Sequence, residues 1–278
     1  MQKIAVLMTC YNRVDTTLEC LRRLFEQEIP EGYSFDVWLV DDASPDKTGE
    51  KVKAVYPQVN VIQGSGKLFW CKGMRLAWDK AAESHDYDFY LWLNDDVVLM
   101  DRALASVVED VDIIVDSQEL GIVVGTCCSD SEGKELSYGC RKDDGTIATP
   151  VGVPLKVYSE AMSGNFVMIP KCVYKTVGPI YKGYSHAFGD RDYSIMLKKK
   201  GGFKYISSKV IGICPQEPER YLHLNGLSFL KRVSLMFSPK GFPLRDTFIL
   251  RYRQKNLMRA IVSCLHVMWR VMFAYKGF

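Results

Sequence analysis

The chain has 278 residues, enough for one large α/β domain or for a domain with an appendage at the usual ~100–200 residues per domain. Hydrophobic residues make up 47% and charged residues 25%, and the 21 glycines and 11 prolines are scattered, so disordered, collagen-like and low-complexity classes are excluded. The net charge of +3 is unevenly divided: from Arg220 onward eleven lysines and arginines face one acid, Asp246, so that tail carries +10 and the preceding residues −7.

Lys3–Met8 is an apolar, β-branched run closed by Thr9-Cys10-Tyr11-Asn12, a strand and its loop. Asp15 is placed to cap a helix through Leu18, Leu21, Leu24 and Phe25, ended by Pro30 and Gly32. A strand at Phe35–Val40 stops at Asp41-Asp42-Ala43-Ser44-Pro45-Asp46, and a helix over Thr48–Tyr56 and a strand at Val59–Ile62 follow. After Gly64-Ser65-Gly66 a helix is expected over about Lys72–Ser84. Phe89–Leu93 is continuously apolar, as a strand covered on both faces must be, and it stops at Asn94-Asp95-Asp96. This alternation predicts an α/β fold with a mostly parallel central sheet flanked by helices. Ligands of such sheets bind beyond the carboxyl ends of the strands, where three polar or acidic clusters stand here.

The second half offers strands at Gly121–Cys127, Gly164–Pro170 and Lys204–Ile213, a loop or hairpin over Asp130–Pro150, and a helix over Asp190–Lys200 ended by Gly201-Gly202. In the basic tail Phe248, Leu257, Ile261, Leu265, Met268, Trp269 and Met272 recur at three- and four-residue steps, which predicts an amphipathic helix with a basic side. It would either meet an anionic membrane surface through residues 244–273 or pack on the rest of the chain. The expected division is a catalytic domain at 1–215 and a basic helical appendage at 216–278. No apolar run reaches the ~18–20 residues that cross a bilayer, and the stretch Ile4–Thr9 is short for a secretory leader. Nine cysteines, an odd number without a Cys-x-x-Cys pair, read as reduced core residues. The expected location is cytoplasmic.

A carboxylate only accepts hydrogen bonds, so Asp41 and Asp42 suit a ligand edge that donates them, such as the imino N–H of uracil or thymine, or else a turn. Thr9 to Asn12 could add a hydroxyl and an aromatic face to the same base. The doubled acid Asp95-Asp96 suits Mg²⁺ or Mn²⁺, which take oxygen ligands and share them with phosphates. Asp190, at a helix start, is the candidate general base, while Asp192 lies deeper, where a lysine or arginine can pair with it. Gly64-Ser65-Gly66-Lys67 lacks the spacing of a nucleotide-triphosphate P-loop, no dinucleotide-binding Gly-x-Gly-x-x-Gly follows the first strand, and neither a zinc nor a hydrolase motif is present.

Taken in order, Thr9-Cys10-Tyr11-Asn12, Val40 to Thr48, Leu93-Asn94-Asp95-Asp96-Val97 and Phe188 to Tyr193 resemble the family-2 inverting glycosyltransferases of GT-A fold, in particular their rhamnosyltransferase-like bacterial branch. The resemblance spans about residues 1–215 and implies that Asp41, with Thr9, Tyr11, Asn12, Asp42 and Asp95, serves the nucleotide. It implies Asp96 and Asp95 as metal ligands, with His223 as a possible third, and Asp190 as the base, with Gly189 standing where the family often has Glu. Gly66, Lys67, Trp70 and Gly73 are similar to a segment that lines the donor sugar and phosphates, and Asn165 and Asp192 would face the acceptor. The implied activity is metal-dependent transfer of a sugar from a UDP or dTDP donor to a hydroxyl of a glycan or lipid-linked glycan, in cell-surface polysaccharide synthesis. The enzyme would lie on the inner face of the membrane and could form a homo-oligomer. The alternatives are a sugar nucleotidyltransferase and a non-catalytic nucleotide-sugar binder. Nucleic acid is not an expected partner, because the acidic half would repel its phosphates.

Overall fold

A computed structural model describes residues 1–130, 132–133, 135–216, 224 and 226–273. The first half alternates as its apolar runs predict: β1 (Gln2–Cys10), α1 (Val14–Phe25), β2 (Tyr33–Asp41), α2 (Thr48–Val55), β3 (Asn60–Gln63), α3 (Phe69–Ser84) and β4 (Phe89–Leu93). Then come β5 (Val98–Leu99), α4 (Ala103–Asp116), β6 (Gly121–Cys128), β7 (Leu136–Tyr138), β8 (Leu155–Val157), β9 (Phe166–Pro170), α5 (Lys171–Val177), α6 (Gly189–Lys199) and β10 (Phe203–Ile213). The tail holds α7 (Phe229–Leu235), α8 (Leu244–Gln254) and α9 (Leu257–Phe273).

The described strands form one sheet, in the order β3-β2-β1-β4-β9-β6-β10-β5, with β7 beside β6 and β8 beside β10. Parallel pairing runs from β3 to β4 and recurs between β6 and β10, whereas β9 is antiparallel to both β4 and β6. The sheet is therefore mixed: its parallel half carries the strand ends of interest, and β9 returns beside β4 so that its start meets the end of β4. Side chains alternate across the sheet with a period of two. Ile4, Val6, Met8, Leu91 and Leu93 enter the core on one face, and Ala5, Leu7, Tyr90 and Trp92 the core on the other. That two-sided burial explains why β4 has no polar residue.

On the second face Trp78 of α3, Trp92 of β4 and Tyr193 of α6 pack with ring centroids 5.1–5.8 Å apart, which fixes α6 against α3 and the sheet. Two glycines permit that approach. A Cβ on Gly73 would lie 2.3 Å from Thr9 Oγ1, and one on Gly189 would lie 2.6 Å from Cys71 Sγ. The second contact gives a steric reason for glycine, and not glutamate, before Asp190.

Several expectations change. Asp15 lies in the first turn of α1 without capping it; Asp46 instead accepts the Val14 N–H at 3.0 Å. α3 starts at Phe69, ahead of Lys72, because Asp42 receives the amides that open it. The Asp130–Pro150 segment contributes β7 to the sheet. Among its described residues the tail has three helices, interrupted at Pro243 and Asn256, and Leu224, Met236, Phe242 and Val271 form a small core of their own. Leu250 of α8 is buried in the second-face core, so α8 packs on the sheet domain. All nine cysteines are free thiols, seven of them buried, as their irregular spacing suggests. Gly73→Ala should lower stability by ~1–3 kcal/mol, read as a lower urea midpoint with an unchanged slope. A variant as stable as the parent chain would contradict the close approach of α3 to β1.

Candidate functional site

A cavity of about 880 Å³ opens where the ends of β1 and β4 meet the starts of β9, α3 and α6. Of the expected residues, Thr9, Tyr11, Asp42, Gly66, Trp70, Asp95, Asp96, Asn165 and Asp190 line it. Asn12, Asp41, Lys67, Gly73 and Asp192 do not, and His223 lies outside the described residues.

Asp41 and Asp42, adjacent in the chain, do different work. Asp41 is buried: its Oδ1 accepts the Ser44 N–H and its Oδ2 the Gly49 N–H, both at 3.0 Å. Its carboxylate orders its own loop and the start of α2, and it does not line the cavity. Asn12 likewise serves the loop, donating its N–H to Ser44 Oγ. Asp42 accepts the N–H groups of Gly66 at 2.7 Å, Leu68 at 2.8 Å and Phe69 at 3.1 Å, which ties the glycine turn and α3 to the cavity wall. Lys67 is exposed beside that turn, and Gly73 faces the back of Thr9.

The next two acids lack such a ring of amides. Asp95 is buried, accepts the Thr17 hydroxyl at 3.2 Å and lies 3.4 Å from the Arg13 guanidinium. Burial, followed by the charge of Asp96, pushes its carboxyl up to about 6. Asp96 is half-exposed to the cavity, 2.8 Å from Arg13, and accepts the Cys214 thiol at 3.7 Å. Arg13 is thus a site residue that the sequence did not single out. Among the described residues no group of three or more His, Cys, Asp and Glu side chains could hold a metal on its own. Two carboxylates that both line the cavity, the buried one only partly compensated, nevertheless fit a hard divalent cation whose remaining ligands are phosphate oxygens.

Asn94 braces this corner: its Oδ1 accepts the Trp70 Nε1–H at 2.7 Å and its N–H donates to the Asn165 carbonyl at 2.8 Å. Gly164 lets the opposite wall close in, since a Cβ there would lie 2.6 Å from the Trp70 ring and 3.3 Å from Asp190 Cβ. Asp190 accepts the Arg191 N–H at 2.7 Å and the Gly164 N–H at 3.2 Å, and burial raises its carboxyl above the ordinary carboxylate value despite these bonds. A helix-start carboxylate with raised basicity, open to a cavity, is suited to accept a proton. Asp192, by contrast, is 2% exposed and bound to Arg253 Nε at 3.0 Å, so it fastens α6 to α8 and does not line the cavity. Phe69 and Phe188, which flank the cavity, have φ of 55° and 68°, a left-handed conformation that bulky residues rarely adopt and that clusters at functional sites.

The tail reaches this site. Lys240 lines the cavity, and Asp246, 1% exposed, accepts the N–H groups of Ser185 at 3.1 Å and His186 at 3.4 Å. The Ser185 carbonyl accepts the Cys71 N–H at 3.1 Å, so the loop leading to Asp190 is held between α3 and α8. The one signal for Asp246 in the sequence was its isolation as the only acid of a basic tail.

Residues 5–135 match the family model Glycosyl transferase family 2. No curated protein matches the chain by sequence. Among solved structures, the chain is similar to S. aureus TarS 1–349 in complex with UDP-GlcNAc, with a TM-score of 0.58, 13% identity, and 99% of this chain and 92% of that one covered. It is also similar to the mannosyltransferase PcManGT from Pyrobaculum calidifontis in complex with GDP-Man and Mn²⁺, with a TM-score of 0.55, 15% identity, and coverage of 99% and 76%. At such identities the likeness shows a shared fold, a central sheet flanked by helices. Asp246→Ala, which strips two partly buried amides of their acceptor, should cost ~1–3 kcal/mol of stability. Asp246→Asn, which keeps an acceptor oxygen, should cost less in the same melting experiment, and equal losses would contradict this role.

Proposed function

We propose that this chain, whose residues 5–135 match the family model Glycosyl transferase family 2, is an inverting enzyme that moves a sugar from a nucleoside diphosphate to a hydroxyl of a glycan or lipid-linked glycan. What carries the reading is that Asp96 and Asp190, far apart in sequence, open into one cavity that Trp70 also lines. With Asp41 occupied by its own loop, Thr9 and the half-exposed ring of Tyr11 are the groups left to meet a base. The donor class is therefore proposed as nucleoside-diphosphate sugar, UDP-linked donors being tested first because the similar TarS structure holds UDP-GlcNAc.

The transfer is a single displacement. The acceptor oxygen attacks the anomeric carbon, the bond from that carbon to the diphosphate breaks, and the hydroxyl proton passes to the Asp190 carboxylate. Burial makes Asp190 a stronger base than a solvent-exposed aspartate, while its bonds to the Gly164 and Arg191 amides fix its position. Trp70, locked by Asn94, forms a flat wall against which a sugar ring packs. Asp96, with Asp95 behind it, would hold a divalent cation, which when bound supplies Lewis-acid stabilisation of the diphosphate. Arg13 adds positive charge at the same corner.

A panel of nucleotide sugars with Mn²⁺, read by thermal stabilisation, identifies the donor: a ligand at ~100 times its Kd adds about 2.7 kcal/mol. Release of pyrophosphate from a sugar phosphate and a nucleoside triphosphate would overturn the reading in favour of a nucleotidyltransferase. Asp190→Asn should keep donor binding and lose at least ~10²-fold in kcat. In the parent chain kcat should fall as acid protonates Asp190, with a midpoint above the ordinary carboxylate value of 3.8 because burial favours the neutral form. Undiminished turnover by Asp190→Asn would remove it from the role. Asp96→Ala should abolish the metal-dependent part of nucleotide affinity in calorimetry, and an unchanged affinity would refute the cation assignment.

A further inference from the structure

The outer side of the tail is apolar in a pattern that packing within the chain does not use. In α9, Ala260 and Val271 are buried inward, while Leu257, Met258, Ile261, Val262 and Leu265 are exposed, Met258 at 68% and Leu265 at 58%. Steps of three and four residues align these side chains in one stripe along the helix, and exposed Phe273 continues it. Phe248 and Tyr252 of α8 stack at 6.1 Å with both rings exposed, and Leu230 of α7, which packs on α9, is 78% exposed. An apolar area of this extent on a folded chain marks a contact surface.

The charge around it decides what the partner is. From Ser228 to Phe273 the only acid is Asp246, buried in the first turn of α8, so the exposed charged side chains of that segment are all lysines and arginines. Lys255 and Arg259 are exposed beside the apolar stripe, with Lys231 and Arg245 exposed on the neighbouring helices. A second copy of the same face would set cations against cations, whereas an anionic lipid leaflet takes both the apolar side chains and the charge. No described helix is long and apolar enough to cross a membrane, and the 17 residues of α9 suit a helix lying along one.

We propose that α9, with the exposed edges of α7 and α8, is a docking surface for anionic phospholipid. The inner side of the same unit holds the catalytic loop through Asp246 and borders the cavity through Lys240, so docking presents the cavity to acceptors anchored in that leaflet. Only this last link rests on the transferase reading; lipid binding stands apart from it. Because α8 is tied to the sheet domain by Asp246 and Arg253, removing the tail after Pro243 would damage the fold, and point variants on the outer side are the proper test.

The full chain is floated with vesicles of pure phosphatidylcholine and with an equal mixture of phosphatidylcholine and phosphatidylglycerol. It should bind the anionic vesicles and not the neutral ones, and less so as salt rises. Lys255→Glu with Arg259→Glu should weaken partitioning at least ~20-fold, since each cation lost accounts for about fivefold. Met258→Ser with Leu265→Ser should weaken it roughly tenfold or more per residue. Both double variants should melt at the parent temperature, because neither alters a buried contact. Failure of the full chain to bind anionic vesicles, or equal binding to neutral ones, would overturn the proposal. A dimer in sedimentation velocity that the serine variant dissociates, without vesicle binding, would reassign the face to self-association. None of these results depends on sugar transfer, so the two readings can fail separately.

Discussion

A carboxylate taken out of water must find donors or shed its charge, and this chain sorts its acids by how that demand is met. Asp41, Asp42 and Asp246 are surrounded by backbone N–H groups, and each of them orders a loop. Asp192 is answered by Arg253 and joins two helices. Asp95 and Asp96 share one guanidinium, with one hydroxyl on Asp95 and one thiol on Asp96, and Asp190 has two amides yet keeps a raised affinity for protons. The acids left short of partners, Asp95, Asp96 and Asp190, all line the cavity. The satisfied ones build the walls that bring them together.

How much of this could be read in the sequence follows the same division. β4 was legible to the residue because full burial on two faces leaves no polar side chain to blur the pattern. The strand ends were legible as acid clusters, and Asp96, Asp190, Trp70 and Asn165 do meet in one cavity. The choice between Asp41 and Asp42 was not, since both are acids at a strand end and only the path of the following loop decides which one it consumes. The start of α3 was missed for a related reason: its anchor, Asp42, lies 27 residues from Phe69. Arg13 and Asp246 act through contacts 82 and 61 residues away, which local periodicity cannot register. The antiparallel course of β9 also depends on the long return of the chain, and not on the composition of the strand.

The tail shows one segment serving two surfaces. Its basic, amphipathic sequence left membrane docking and packing on the domain as alternatives, yet the helices are amphipathic in more than one direction. α8 buries Leu250 and Asp246 against the sheet domain and braces the approach to Asp190, while α9 keeps an apolar stripe outward. A tail that grips the loop before Asp190 on one side cannot be a detachable anchor.

The central claim is that Asp96 and Asp190 act on a single guest in one cavity. A crystal structure of the chain grown with Mn²⁺ and the nucleotide sugar that stabilises it most tests this directly. The account predicts metal density at Asp96, the diphosphate beside Arg13, and the anomeric carbon on the side facing Asp190. A nucleotide seated elsewhere, or one whose sugar points away from Asp190 with no metal at Asp96, would contradict it.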